Sequence, residues 1–315
     1  MKADLMSLQD ARNNYAQGNE FITTSCLKCR FSPSYIDAIP LFKNAGEKFH
    51  GVAKYDEEIC CRKKLTECFR ATKSYWEEGN EYDKMAQVQL KQLNKPEEAF
   101  TSICNAHNAF VAAKEYESSI KSLSKIASEF FEVSQADYAE RILKIIYDCA
   151  LKYFHVLLFN NDENTSHSYL YEALDKYIDV LYFNKKHDEA TENIENLLKL
   201  MENEEPDKSK LLRYYGIMMI GFIILKRPNE YEDNAKIARE MKSSGVEDYG
   251  VIKIIDSLNE GIKNAMDDTT LNAKIADLCR EYPVNIGKLL KAKLKEMIVK
   301  EGSIDTNADE PFDLK

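Results

Sequence analysis

Glu98-Ala99-Phe100-Thr101-Ser102-Ile103-Cys104-Asn105-Ala106-His107-Asn108-Ala109-Phe110, followed after a short link by Tyr116-Glu117, is the stretch that decides the fold. The same outline stands sixty-one residues earlier, as Asp37-Ala38, Asn44-Ala45, Phe49 and Tyr55-Asp56. A third echo runs from Tyr182-Phe183 through Asn184-Lys185-Lys186-His187 into Asp188-Glu189-Ala190. Each is an Ala-rich or aromatic-ended helix, a short polar link, and the start of another helix. Small Ala residues let two helices approach closely, while Phe and Tyr fill the gaps that Ala leaves. Internal repetition of this kind is the mark of stacked helix hairpins, as in tetratricopeptide (TPR) arrays.

Outward from these repeats, 3.6-residue apolar stripes predict helices over 3–16, 35–52, 55–75, 80–93, 97–113, 116–132, 135–159, 167–183, 187–202, 208–225, 229–242, 248–264, 269–281 and 285–300. In the last of them Ile286, Leu289, Leu290, Leu294, Met297 and Ile298 share one face. Such stripes need partner helices. Breakers and polar residues at Lys95-Pro96, Asn160 to Thr165, Glu204 to Asp207, Arg227-Pro228 and Ser243 to Gly245 mark links too short to separate independent domains. Two segments depart from the pattern: 17–34 and 301–315.

Composition agrees with an all-α chain. Only 11 Gly and 7 Pro interrupt 315 residues, too few for the many turns of a β architecture. A net charge of -10 argues against a broad electrostatic grip on nucleic acid. Lys2, Asp4, Asp10 and Arg12 break up any signal-peptide pattern, and the longest apolar run, Ile217 to Leu225, is too short to span a bilayer. A cytoplasmic protein is expected.

No catalytic residue is assigned. GxxxxGK[ST], GxGxxG, HExxH, GxSxG and the kinase set are all missing, so the expectation is a non-enzyme that needs no cofactor. Cys26 and Cys29 have CxxC spacing, which serves zinc or redox work when a second ligand pair or a strand scaffold accompanies it; Cys60-Cys61 has the wrong spacing for that pair. The eight cysteines are therefore read as reduced thiols, several of them small core hydrophobes. His50, His107, His155, His167 and His187 stand singly on different helices and suggest no metal site.

Laid out in this way, the chain from about Tyr35 to Lys315 resembles the soluble NSF attachment proteins (SNAPs). The Glu98 to Phe110 helix and the Ser119 to Ile126 segment after it are similar to a helix pair of that family. Asp207 to Tyr214 and Ile254 to Glu260 resemble parts of its C-terminal bundle, and Asp309-Glu310-Pro311-Phe312-Asp313-Leu314-Lys315 resembles the acidic tail, with a penultimate Leu, of alpha-type members. Two features depart from the alpha type: the 76–96 segment is longer, and Leu27 to Tyr35 is closer to the gamma-type opening loop.

The resemblance implies a right-handed superhelical stack of antiparallel hairpins over 1–205 with an irregular opening loop at 17–34, a C-terminal helical bundle over 206–300 and a flexible acidic tail over 301–315. It also implies an adaptor, several copies of which bind the four-helix bundle of syntaxin-type SNAREs and recruit and stimulate the hexameric NSF ATPase during vesicle transport. Phe21, Ile22, Leu27 and Phe31 would then contact the membrane peripherally; alternatively, these apolar residues fold back on the first hairpin. Lys125 and Lys176 would face the SNAREs, with Glu172 where another basic residue is expected. Asp256, Glu260, Asp309, Glu310, Asp313 and Leu314 would meet the ATPase. The alternative is a generic helical-repeat scaffold with a different partner.

Overall fold

The computed structural model describes residues 2–24, 31–156, 163–201, 208–242 and 250–263, with positions 267, 269, 270, 273, 274, 276 and 277. The chain is all-α, and there is no strand among the described residues. The helices are α1 (Lys2–Ile22), α2 (Tyr35–Gly51), α3 (Tyr55–Ala71), α4 (Tyr75–Lys91), α5 (Pro96–Ala112), α6 (Tyr116–Glu132), α7 (Ala136–Lys152), α8 (Glu163–Phe183), α9 (His187–Met201), α10 (Lys208–Leu225), α11 (Pro228–Lys242) and α12 (Gly250–Lys263). Two compact units divide at Leu170/Tyr171, within α8. The 205/206 boundary expected from sequence lies among residues outside the described set, as do the 285–300 helix and the 301–315 tail.

In the first unit each helix packs on the one before and the one after it, which is a stack of antiparallel hairpins. Its links share one construction. A single residue takes a left-handed φ, namely Ala53 (54°), Lys73 (60°), Lys114 (63°) and Ser134 (60°). The next residue's N–H then returns to a carbonyl five residues back: Lys54 to Phe49, Ser74 to Phe69, Glu115 to Phe110 and Gln135 to Phe130. This bond satisfies a carbonyl that the helix end would leave open, and the αL residue turns the chain into the next helix. Six helices of seventeen residues, α2 to α7, and three-residue links give a repeat of twenty, read directly from the starts at Tyr35, Tyr55, Tyr75 and again Pro96, Tyr116 and Ala136. The link before Pro96 is one residue longer, with Asn94 left-handed at 51°.

Several expected boundaries move for this reason. The α3–α4 link falls at Thr72 to Ser74, so α3 ends at Ala71 and α4 begins at Tyr75, not at residue 80. The first helix runs to Ile22, not to residue 16, because Phe21 and Ile22 reach an apolar cluster centred on Ala38, Phe42, Leu65 and Cys68. The 135–159 helix stops at Lys152, whose successor Tyr153 receives the closing turn and stacks on Tyr116 at 4.0 Å.

Small residues sit at the closest approaches. Gly79 is buried against Phe110: a Cβ there would lie 2.8 Å from the ring. The second unit is held differently, by fully buried Tyr177, Tyr182, Tyr214 and Tyr231 among Ile, Leu and Met side chains of α8 to α12.

Candidate functional site: interaction surfaces

The first unit has two faces that its side chains distinguish. On one, α4 meets α6: Ser122 donates to Asp83, and Lys125 Nζ donates to Gln87 Oε1 at 3.0 Å. Lys125 is exposed, and its partner is a neutral amide, so that bond does not cancel its charge. On the other face, α5 meets α7 through Phe100 and Tyr138, whose ring centroids are 5.4 Å apart, with Arg141 Cζ 4.0 Å above the Phe100 ring.

The expected membrane-contact residues separate. Phe21 and Ile22 are half-buried and pack against the α1–α2–α3 apolar cluster, while the Phe21 carbonyl accepts the Ser34 N–H at 2.9 Å. Phe31 instead stands 79% exposed, and Ile36, in the first turn of α2, is 73% exposed. Leu27, Cys26 and Cys29 lie outside the described residues.

Lys176 belongs to the second unit, where its Nζ is paired with Glu172 Oε1 at 2.6 Å, one helical turn away. Glu172 is thus the local counterion of Lys176. Asp256 is likewise engaged: it accepts Tyr231 Oη at 2.7 Å and Arg239 Nη2 at 2.9 Å, while Glu260 on the same helix is exposed. Asp309, Glu310, Asp313 and Leu314 lie outside the described residues.

Sequence reasoning missed a set of buried carboxylates. Glu58 is fully buried on α3, and Arg62 bridges it at 2.6 Å to Glu81 of α4 at 2.7 Å. Lys84 and His50 close the ends, with Lys84 Nζ 2.6 Å from Glu81 and His50 Nδ1 2.8 Å from Glu58. Glu78 is held by Arg70, and Glu129 by Lys91 across α4 and α6. A Glu in a helix reads as a solvent residue, yet the Glu58/Arg62 spacing of four was the available signal. Such pairs endure in a core only when both charges stay matched.

Cys61, Cys68 and Cys149 of the first unit are buried and act as apolar fillers. Burial pushes Cys61 up to about 12, and Cys68 and Cys149 up to about 11, which suppresses the thiolate that nucleophilic or metal chemistry needs. Burial likewise raises Cys104, against the opposing charge of Arg141. Among the described residues no three His, Cys, Asp or Glu side chains are placed to hold a metal ion, and no helix is long and apolar enough to cross a membrane.

No family model and no curated protein matches the chain. Among solved structures, BtubC (BKLC) from P. vanneervenii is similar at 11% identity, over 78% of this chain and 94% of its own, with a TM-score of 0.33; a likeness at that level supports no functional reading.

Proposed function

We propose that this chain is an adaptor of the SNAP type, which binds assembled SNARE bundles, recruits the NSF ATPase and has no chemistry of its own. The observation that carries this reading is the stack of antiparallel hairpins, the architecture that the sequence resemblance implies, with Lys125 presented on its α4–α6 face. SNARE bundles are acidic, so an uncancelled cation on such a face suits them. Exposed pairs are worth roughly 0–1 kcal/mol each, so binding would depend on several contacts and weaken with salt. Phe31 and Ile36, both largely exposed, are the apolar side chains this reading assigns to peripheral membrane contact from the cytoplasmic side.

The test is reconstitution: the protein, an assembled SNARE complex and the ATPase are mixed, and co-sedimentation and ATP-dependent disassembly are measured. Neither recruitment nor disassembly would reject the reading. Lys125→Glu should weaken SNARE binding at low salt by up to about fivefold, the scale of one exposed pair. Removing residues 313–315 should abolish ATPase stimulation while SNARE binding persists.

A second reading, a helical-repeat scaffold for another partner, is favoured by the internal pairing of Lys176 with Glu172 and of Asp256 with Arg239. It predicts that removing 313–315 changes no activity.

A further inference from the structure

Lys84 of α4 and Lys125 of α6 occupy the same place in their helices, counted from the starts at Tyr75 and Tyr116. Their surroundings differ. Glu81, three residues before Lys84, takes its ammonium at 2.6 Å and cancels its charge within one turn. The corresponding residue of α6 is Ser122, which offers Lys125 no carboxylate. Lys91 pairs with Glu129 at 2.7 Å, and Lys121 with Glu117. Three of the four lysines on α4 and α6 are thus matched to carboxylates, whereas Lys125 Nζ donates to the Gln87 amide oxygen at 3.0 Å.

A carboxylate does stand close by. Asp83 lies one turn from Gln87 on α4, but both of its oxygens are taken by neutral donors. Oδ1 accepts the Ser122 hydroxyl, and Oδ2 accepts Gln87 Nε2 at 2.6 Å. Gln87 therefore stands between acid and base, with its Nε2 on Asp83 and its Oε1 on Lys125. The four side chains close a frame across the two helices, because Asp83 and Gln87 are four residues apart on α4 and Ser122 and Lys125 three apart on α6. Ser122, Asp83 and Gln87 are half-buried and Lys125 is exposed, so the open side of the frame is the ammonium. Held by one neutral acceptor, that ammonium keeps its charge and its other N–H donors for a ligand.

We propose that Gln87, Asp83 and Ser122 are positioning residues that keep Lys125 uncancelled, as the point where a carboxylate side chain of a partner protein docks on the α4–α6 face. The identity of that partner, an acidic helical bundle, rests on the adaptor reading; the frame itself does not. Gln87 is the decisive member. As an amide it satisfies Asp83 without adding a charge. A carboxylate in its place would neutralise Lys125, and an apolar side chain would release Asp83 to do so.

Two readouts test the two parts separately. The first is titration of the full-length protein with an assembled SNARE bundle at low salt. Gln87→Glu and Gln87→Met should each weaken binding about threefold, the scale of one exposed pair. Because Gln87→Met leaves the net charge unchanged, overall charge does not account for a loss there. Adding Asp83→Asn to Gln87→Met should restore binding, since Lys125 then has no carboxylate to claim, while Asp83→Asn alone should change it by less than about 1.5-fold. In a Lys125→Ala background none of these changes should matter. The second readout needs no partner: acetylation of Lys125 by an N-hydroxysuccinimide ester, followed by peptide mass spectrometry. Labelling should slow about twofold or more in Gln87→Glu and in Gln87→Met, because a facing carboxylate holds the amine protonated, and should recover in the Gln87→Met, Asp83→Asn double variant. Wild-type labelling of Gln87→Met, wild-type SNARE binding by it, or a Gln87→Glu loss that persists in full without Lys125 would each overturn the proposal. If the wild-type protein binds no SNARE bundle while the labelling pattern holds, the adaptor reading fails and the frame stands.

Discussion

Between α3 and α4 of the first unit the polar links are charges: fully buried Glu58, then Arg62, then Glu81. In the second unit buried phenol hydroxyls take over much of that task, and the charge pairs Arg213–Asp175 and Arg239–Asp256 are partly exposed. Tyr182 donates to the Ile217 carbonyl at 3.3 Å, Tyr177 to Glu189 at 2.7 Å, and Tyr214 to both the Tyr171 carbonyl and Asp175. Both solutions tie helices together, but they fail differently. A buried charge that loses its partner retains its desolvation cost, whereas a hydroxyl removed from a tyrosine leaves an apolar ring that still packs. The first unit is therefore the brittle one toward polar substitution, and the second the tolerant one.

The sharpest way to break this contrast is Arg62→Ala. It leaves buried Glu58 with His50 alone and Glu81 with Lys84 alone, and should cost about 3 kcal/mol, read by urea unfolding at neutral pH. A loss below about 1 kcal/mol would show that water relieves the carboxylates and that the two units are alike. Gly79→Ala comes next. The added methyl meets the buried Phe110 ring at 2.8 Å, so about 1–3 kcal/mol should be lost to overpacking. Tyr182→Phe tests the other side of the comparison and should cost only about 1 kcal/mol.

Two smaller effects sharpen it further. Burial, and secondarily the charge of Lys152, hold His107 below its ordinary 6.5, while its Nδ1 lies 2.8 Å from Ser119 Oγ. The unfolded chain takes up a proton that the folded chain resists. The stability involved is therefore complete above pH 6.5 and declines as pH falls through the depressed value. His107→Gln should flatten that part of the stability profile, measured as the difference between denaturation midpoints at pH 8 and pH 5. Finally, iodoacetamide labelling followed by peptide mass spectrometry should modify exposed Cys60 in the folded protein, and Cys61, Cys68 and Cys149 only after unfolding.

The proportion of the fold legible in the sequence depended on what each signal needed from distant neighbours. The Ala and Phe positions of α2 and α5 were legible, since apolar period is a property of one helix. Their sixty-one-residue echo, however, is three helix-and-link units of twenty, twenty and twenty-one residues. It relates helices of opposite direction, not two equivalent hairpins. The link signature, a Phe five residues before the closing N–H with one left-handed residue between, was present at Phe49, Phe69, Phe110 and Phe130. No turn dipeptide of Gly or Pro announced it, because Lys, Ala and Ser take the αL position there. Of the candidate contacts, Lys125 could be placed on a face only by its bond to Gln87, thirty-eight residues away.

What the sequence determined by itself is the class: helices everywhere, in a length and order that force stacking, because each stripe is apolar on one side and cannot be buried alone. What only the tertiary structure decided is which polar residues are inside and which gaps are filled. Glu58 is buried because Arg62 and Glu81 reach it. The gap between α5 and α7 is filled because Arg141 stacks on the Phe100 ring. Both outcomes depend on side-chain volume and charge supplied by another helix, and no local pattern carries that information.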